Sequence, residues 1–348
     1  MHITRSINLF RRLTKPNKRA MGLFSVLLFL VVAAQIIVLL LSPFYKVKWP
    51  FSWYYTRIFR PLLQEDQRFR WKFYVVPAFY LSLYCYIIFV LIRDVIPVIG
   101  NRLLSVEKLC IIPVLVVATP VLGWLSMTVK AKTSRGCQPG SAQEYDYDYI
   151  LYYPNVQCRT CHIEKPARSR HCNLCRECVL VADHHCVWVN NCIGKGNYQF
   201  FYAFLVVNVI SLSYGFLRVL WVSVMKDPSM VVYPRSILIF TILCGTFAII
   251  CGVFTYLQLQ LVNDGMTTGE KDKWYTIQQI MREGNLVRTL DGQFFIQDQQ
   301  NPNQFYSTNA YDSKLYVPQN YSIVNDPKDI TNIYDQGSFW YKLERLCT

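Results

Sequence analysis

Cys158-x2-Cys161-x9-His171-Cys172-x2-Cys175-x2-Cys178-x4-Asp183-His184-His185-Cys186-x5-Cys192 holds seven of the chain's thirteen cysteines and four of its five histidines. Cysteines paired at x2 spacing let a tight turn converge on one tetrahedral metal, so this pattern reads as metal ligation rather than a disulfide framework. Two tetrahedral structural zinc ions need eight Cys or His ligands, and the stretch offers eleven. A closed Cys3His site has no open position, which makes both zinc ions scaffolding. A module this small cannot bury a core alone, and metal binding supplies much of its folding free energy.

The ligands left over carry the chemistry. A nucleophilic thiol has to stay off the metal, with a base beside it and an acid that orients the base. Asp183-His184-His185-Cys186 contains all three types. Adjacent residues in one strand point in different directions, so one of the two histidines serves the metal and the other the thiol; the residues alone leave open which. His162 reads as an exposed polar residue.

Around this module the chain is apolar. Of 348 residues, 53% are hydrophobic and 15% aromatic, which favours an integral membrane protein over a soluble enzyme. Five segments have the roughly 20 apolar residues needed to span a bilayer: approximately 22–41, 73–92, 109–129, 200–222 and 237–257. The expected fold is therefore an all-α polytopic membrane protein of about five transmembrane helices with a small cytosolic double-zinc domain. Its parts are an N-terminal tail with three spans (1–129), a linker and zinc-binding catalytic domain (130–199), two further spans (200–258) and a cytosolic tail (259–348). Pro113 and Pro120 are expected to kink the third span. Arg218 in the fourth either snorkels to an interface or sits in the bundle interior.

Reduced thiols place the module in the cytosol. Loops on that side then carry 24 Lys and Arg against 11 opposite, as the positive-inside rule requires. The basic first twenty residues fall on the other side; either the first segment does not span or downstream loops override it. The net charge of +14 is spread over many loops, which fits a membrane-facing surface, anionic headgroups or a polyphosphate ligand and excludes a nucleic-acid stripe. The stretch 133–157 reads as a Tyr/Asp-rich linker. The tail has little apolar periodicity; 272–283 is expected to be a short helix and the rest loop or weakly ordered.

Residues 158–201 resemble the Asp-His-His-Cys (DHHC) domain of the protein S-acyltransferases. The likeness covers Cys158-x2-Cys161, Lys165-Pro166-x-Arg168-Ser169-x-His171-Cys172, Cys175-x2-Cys178, Asp183-His184-His185-Cys186, Trp188, Asn190-Asn191-Cys192-Ile193-Gly194 and Asn197-x3-Phe201. Thr267-Thr268-Gly269-Glu270 fits the family's Thr-Thr-x-Glu element. Tyr334-Asp335-Gln336-Gly337 fits a third, although Tyr341 stands where that pattern has Asn. The resemblance implies one zinc on Cys158, Cys161, His171 and Cys178 and another on Cys172, Cys175, His185 and Cys192. It implies Cys186 as nucleophile, His184 as base, Asp183 as its orienter, Thr268 bonded near Asp183, and Trp188 at the mouth of an acyl cavity. The stretch from Leu180 to Asn197 is similar to a fungal endoplasmic-reticulum branch that modifies cysteines beside transmembrane anchors, SNAREs among them.

The implied reaction is S-palmitoylation: an acyl group passes from acyl-CoA to Cys186 and then to a membrane-proximal cysteine of a protein substrate. The site suits it, because the acyl chain partitions into hydrocarbon while the CoA phosphates stay in water. Lys165, Arg168, Arg170, Arg176 and Lys195 are candidates for those phosphates, Lys165 and Arg168 first among them. Two other readings are weaker. A zinc module that only binds partners leaves Asp-His before a spare Cys unexplained. A membrane zinc hydrolase needs an open metal position, and the chain has no His-Glu-x-x-His.

Overall fold

The computed structural model describes residues 35, 38, 48–59, 72–136, 144–224 and 234–347. It divides into two compact units, 1–72 and 73–348. In the first, Phe51–Tyr54 makes one α turn that continues as a π turn over Tyr55–Phe59. The expected span at 22–41 lies outside the described residues apart from 35 and 38.

In the second unit, four helices among the described residues are long and apolar enough to cross a membrane. They are α1 (Lys72–Arg102), α2 (Glu107–Thr128), α3 (Tyr198–Val224) and α4 (Arg235–Asn263). Each meets the length required for the hydrocarbon layer at 1.5 Å per residue. Their faces carry exposed Leu, Ile, Val and Trp, such as Ile92, Val114, Trp124, Leu217 and Ile249, as segments solvated by lipid require. Four of the five expected spans are thus placed. Pro113 falls in the first α turn of its helix after a π turn at Glu107–Ile111, and Pro120 lies inside it.

Arg218 reaches the turn between α1 and α2, at the end of the bundle. Its Nη2 donates to Glu107 Oε2 at 2.8 Å and to Arg102 O at 3.1 Å, while Tyr214 donates to Glu107 Oε1 at 2.8 Å. A charge within a span demands such partners. Toward this end, an apolar cavity of about 100 Å³ lies between the helices, lined by Leu91, Leu115, Leu212, Phe240 and Cys244 among others.

The segment between α2 and α3 forms two short antiparallel hairpins. β1 (Arg170–Cys172) pairs with β2 (Glu177–Val179), and β3 (His184–Cys186) pairs with β4 (Asn191–Ile193). The tail after α4 packs on the same end of the bundle. Tyr334 and Leu346 join Val181, Val189, Ile193, Tyr198 and Phe201 in one buried cluster, so module, bundle and tail share a core.

The helix expected at 272–283 is present as α5, which runs Thr268–Arg282 and is capped by a reciprocal Thr267–Glu270 box. The rest of the tail departs from the expected all-α, loosely ordered chain. A five-stranded antiparallel sheet follows, in the order β8-β7-β6-β5-β9. The strands are β5 (Leu286–Thr289), β6 (Phe294–Gln297), β7 (Phe305–Ser307), β8 (Leu315–Tyr316) and β9 (Tyr321–Ile323). Strands this short between Asn-, Gln- and Asp-rich turns leave almost no period-2 signal. Leu286, Val287, Phe294, Phe295 and Phe305 nevertheless bury fully enough to hold the sheet and helix together. The last element among the described residues is α6 (Phe339–Cys347).

Candidate active site

Two Cys/His clusters form the frame. Cys158, Cys161, His171 and Cys178 make one; Cys172, Cys175, His185 and Cys192 make the other, with the ligand atoms of each set within 4.8 Å of one another. Cys161 Sγ lies 3.3 Å and Cys178 Sγ 3.8 Å from His171 Nδ1. Cys172, Cys175 and Cys192 lie 3.7, 3.5 and 3.6 Å from His185 Nδ1. A tetrahedral zinc with ordinary Zn–S and Zn–N bonds has edges of about 3.6 Å, so the donor sets fit that ion. Both clusters are built alike: an x2 turn supplies two sulfurs, and a cross-strand pair (His171 with Cys178, His185 with Cys192) supplies the rest.

Strand geometry separates the two histidines. Successive side chains of β3 face opposite ways. His185 turns toward the metal cluster, so His184 and Cys186 share the other face. There Asp183 Oδ2 lies 2.7 Å from His184 Nδ1, and the His184 imidazole and the Cys186 thiol are close enough to act on each other electrostatically. Asp183 Oδ1 accepts the backbone N–H of Thr268 at 2.5 Å. Phe201 meets the His184 ring edge-on at 5.6 Å. Asp183 and Cys186 are buried, at 3% and 5% exposure.

The electrostatics follow from these contacts. Burial pulls the His184 imidazole down, but Asp183 and Cys186 outweigh it and push the ring up to about 9. Burial pushes the Cys186 thiol up; His184 and the backbone N–H groups of Trp188 and Val189 hold it below the ordinary cysteine value. Asp183 is likewise lowered against its burial, by His184 and Thr268. The arrangement favours a thiolate facing an imidazolium held by a carboxylate, the electronic requirement for a nucleophilic cysteine.

The tail completes the site. Glu270 Oε2 accepts the backbone N–H of Thr267 at 2.8 Å and Arg168 Nη2 at 2.6 Å, while Glu270 Oε1 accepts Arg168 Nε at 2.8 Å. This bidentate pair is almost fully buried, with the guanidinium also against the Tyr334 and Tyr145 rings. Arg168 was expected near the CoA phosphates; its donors are instead committed to Glu270 and Gly265 O, and it ties module to tail. Lys165 is also buried, donating to Tyr311 Oη at 2.5 Å. Trp188 is half exposed on the β3–β4 turn beside Cys186. Tyr334 docks the third element, its hydroxyl donating to Asp146 O at 2.9 Å. The residue pattern did not single out Glu270, Asn191 or Asn197 for a role of their own; polar side chains this buried carry no periodic signal.

A frame of two metal clusters that leaves one thiol free, set at the end of a helical bundle, defines a membrane-bound thiol transferase. Comparison sharpens the class. Residues 152–275 match the model of the DHHC palmitoyltransferase family. The sequence is 48% identical to palmitoyltransferase SWF1 of Saccharomyces cerevisiae over 92% of this chain and 98% of that one. It is 43% identical to palmitoyltransferase SWF1 of Candida glabrata, over 90% and 96%. For palmitoyltransferase SWF1 of Eremothecium gossypii the figure is 41%, over 88% and 90%. The chain belongs to the DHHC palmitoyltransferase family and is a protein S-acyltransferase.

Proposed function

We propose that Cys186 is the nucleophile, His184 its base and Asp183 the orienter of His184, in a two-stage transfer from palmitoyl-CoA. His184 takes the proton from Cys186. The thiolate attacks the thioester carbonyl, the carbon–sulfur bond to CoA breaks, and the CoA sulfur leaves with the proton held on His184. A substrate thiol then gives its proton to His184 and attacks the acyl-enzyme, releasing the Cys186 thiolate that the imidazolium reprotonates. The observation that carries this reading is the line Thr268 N–H, Asp183, His184, Cys186, which stands outside both clusters.

Zinc on Cys158, Cys161, His171 and Cys178, and on Cys172, Cys175, His185 and Cys192, would fix the two hairpins and take no part in the bond changes. The functional parts are those of the sequence reading: 1–129, 130–199, 200–258 and 259–348. The acyl chain lies among the spans, whose apolar side chains support that placement. Lys165, Arg170, Arg176 and Lys195 are the basic side chains proposed for a CoA phosphate contact, of which Lys165 and Lys195 would exchange Tyr311 and Glu144 for the phosphate; Arg168, paired with Glu270, is not retained for that role. We place the enzyme in the endoplasmic-reticulum membrane with the site toward the cytosol, acting on cysteines beside transmembrane anchors, SNARE-type proteins included. The 24-to-11 distribution of basic residues supports the orientation. Incubation of the purified protein with labelled palmitoyl-CoA tests the chemistry: a hydroxylamine-sensitive label is expected on Cys186, and the same label on Cys186→Ser contradicts it. Acyl exchange on single-pass anchors in cells lacking the enzyme tests the substrates.

A further inference from the structure

We propose that Asn191 is a positioning residue that fixes how deep Cys186 sits against the membrane-spanning bundle, and through that depth sets the acyl-chain length the enzyme prefers. The inference rests on the reading of Cys186 as the acylated residue.

Helix α2 ends without a glycine cap. Val129 turns to extended backbone, with ψ at 111°, so the carbonyls of the last turn lack partners within the helix. In a protein interior such groups find donors elsewhere. Asn191 provides them: its Nδ2 donates to Ser126 O at 2.9 Å and to Val129 O at 2.7 Å. Its Oδ1 accepts Lys130 Nζ at 3.4 Å, and the residue is 1% exposed. Asn191 is also the cross-strand partner of Cys186 in the β3–β4 hairpin. One side chain therefore joins the strand opposite the nucleophile to the inner end of a span.

The other ties between α2 and the module act elsewhere. Asn197 donates to Val129 O at 3.0 Å and Cys192 O at 2.8 Å, holding the start of α3 to the end of α2. Lys132 exchanges backbone bonds with Leu180 and Lys195, beyond the far end of the hairpin. Asn191 is the tie at the level of Cys186 itself. Sliding the hairpin by one helical residue moves the sulfur about 1.5 Å, close to the length of one carbon–carbon bond. An acyl chain anchored at that sulfur then reaches one bond less or more into the bundle, so depth converts directly into chain length.

The test is self-acylation of the full-length protein, purified with its metal, against a ladder of saturated acyl-CoAs from lauroyl to arachidoyl. Asn191→Ala removes both donors; Asn191→Ser keeps one. We expect both variants to retain wild-type metal content. The alanine variant should lose on the order of 10²-fold in rate on the preferred chain, as an ångström-scale misplacement does, with a flattened or displaced length profile. The serine variant should fall between it and the wild type. An equal fall at every chain length, an unchanged profile, or loss of metal in both variants overturns the proposal. Cys186→Ala runs alongside. If it still takes the acyl group, the nucleophile assignment fails; if it is inert while the Asn191 profiles stay unchanged, only the positioning role fails.

Discussion

The two hairpins of the module are built on one plan and do different things. In each, a histidine in the middle of the first strand faces a cysteine in the middle of the second, and both turn toward a cluster completed by an x2 cysteine pair. The residue after the histidine is also a cysteine in both. In β1 that residue is Cys172, which is captured by the second cluster; in β3 it is Cys186, for which no further x2 pair exists. Before the histidine, β1 has exposed Arg170 and β3 has His184 on Asp183. The proposed nucleophile thus stands at the place in its hairpin where the other hairpin has a cluster ligand. Cys172, next to His171, also links the two clusters, so the first hairpin supports the one that carries the proposed nucleophile.

Substitutions at matched positions should break this comparison in graded ways. Cys186→Ser should abolish self-acylation and transfer while both metals stay, whereas Cys172→Ser should release metal and unfold the hairpins; metal analysis and circular dichroism on both variants distinguish them. Next come the two adjacent histidines. His185→Ala should cost metal and folding. His184→Ala should keep both metals and lose about 10²–10⁴-fold in acylation rate, the usual worth of a general base. Glu270→Gln should leave the Arg168 charge buried without its partner and weaken the α5 cap. Breaking such a pair costs about 3–5 kcal/mol, read as a lower unfolding midpoint in detergent, together with a slower rate as Thr268 loosens from Asp183. Glu177→Ala, at the position facing Cys172, should change stability by no more than about 0.5 kcal/mol, because its side chain is partly exposed and belongs to neither cluster.

The same contrast explains what could be read in the chain. Metal ligands are legible because x2 turns and alternating strands fix both the residue types and their spacing. Spans are legible because lipid demands long apolar runs, and α1 to α4 fall where hydropathy puts them. The residues alone left open which histidine meets the metal cluster; the register of β3 against β4 puts His185 there. In the tail the helix expected at 272–283 is present as Thr268–Arg282, but the sheet was illegible: its strands are two to four residues long, and their burial comes from tertiary packing rather than a pattern. Arg168 was misread because a basic residue in a phosphate-using enzyme suggests an anion, while its actual partner, Glu270, lies 102 residues away.

The direct test of the account is intact-protein mass after incubation with palmitoyl-CoA, combined with peptide mapping and native-state metal counting. One acyl adduct on the 186 sulfur, removed by hydroxylamine, with two ions still bound per chain, is the predicted result. An adduct on any other cysteine, or a metal ion coordinated by that sulfur, contradicts it.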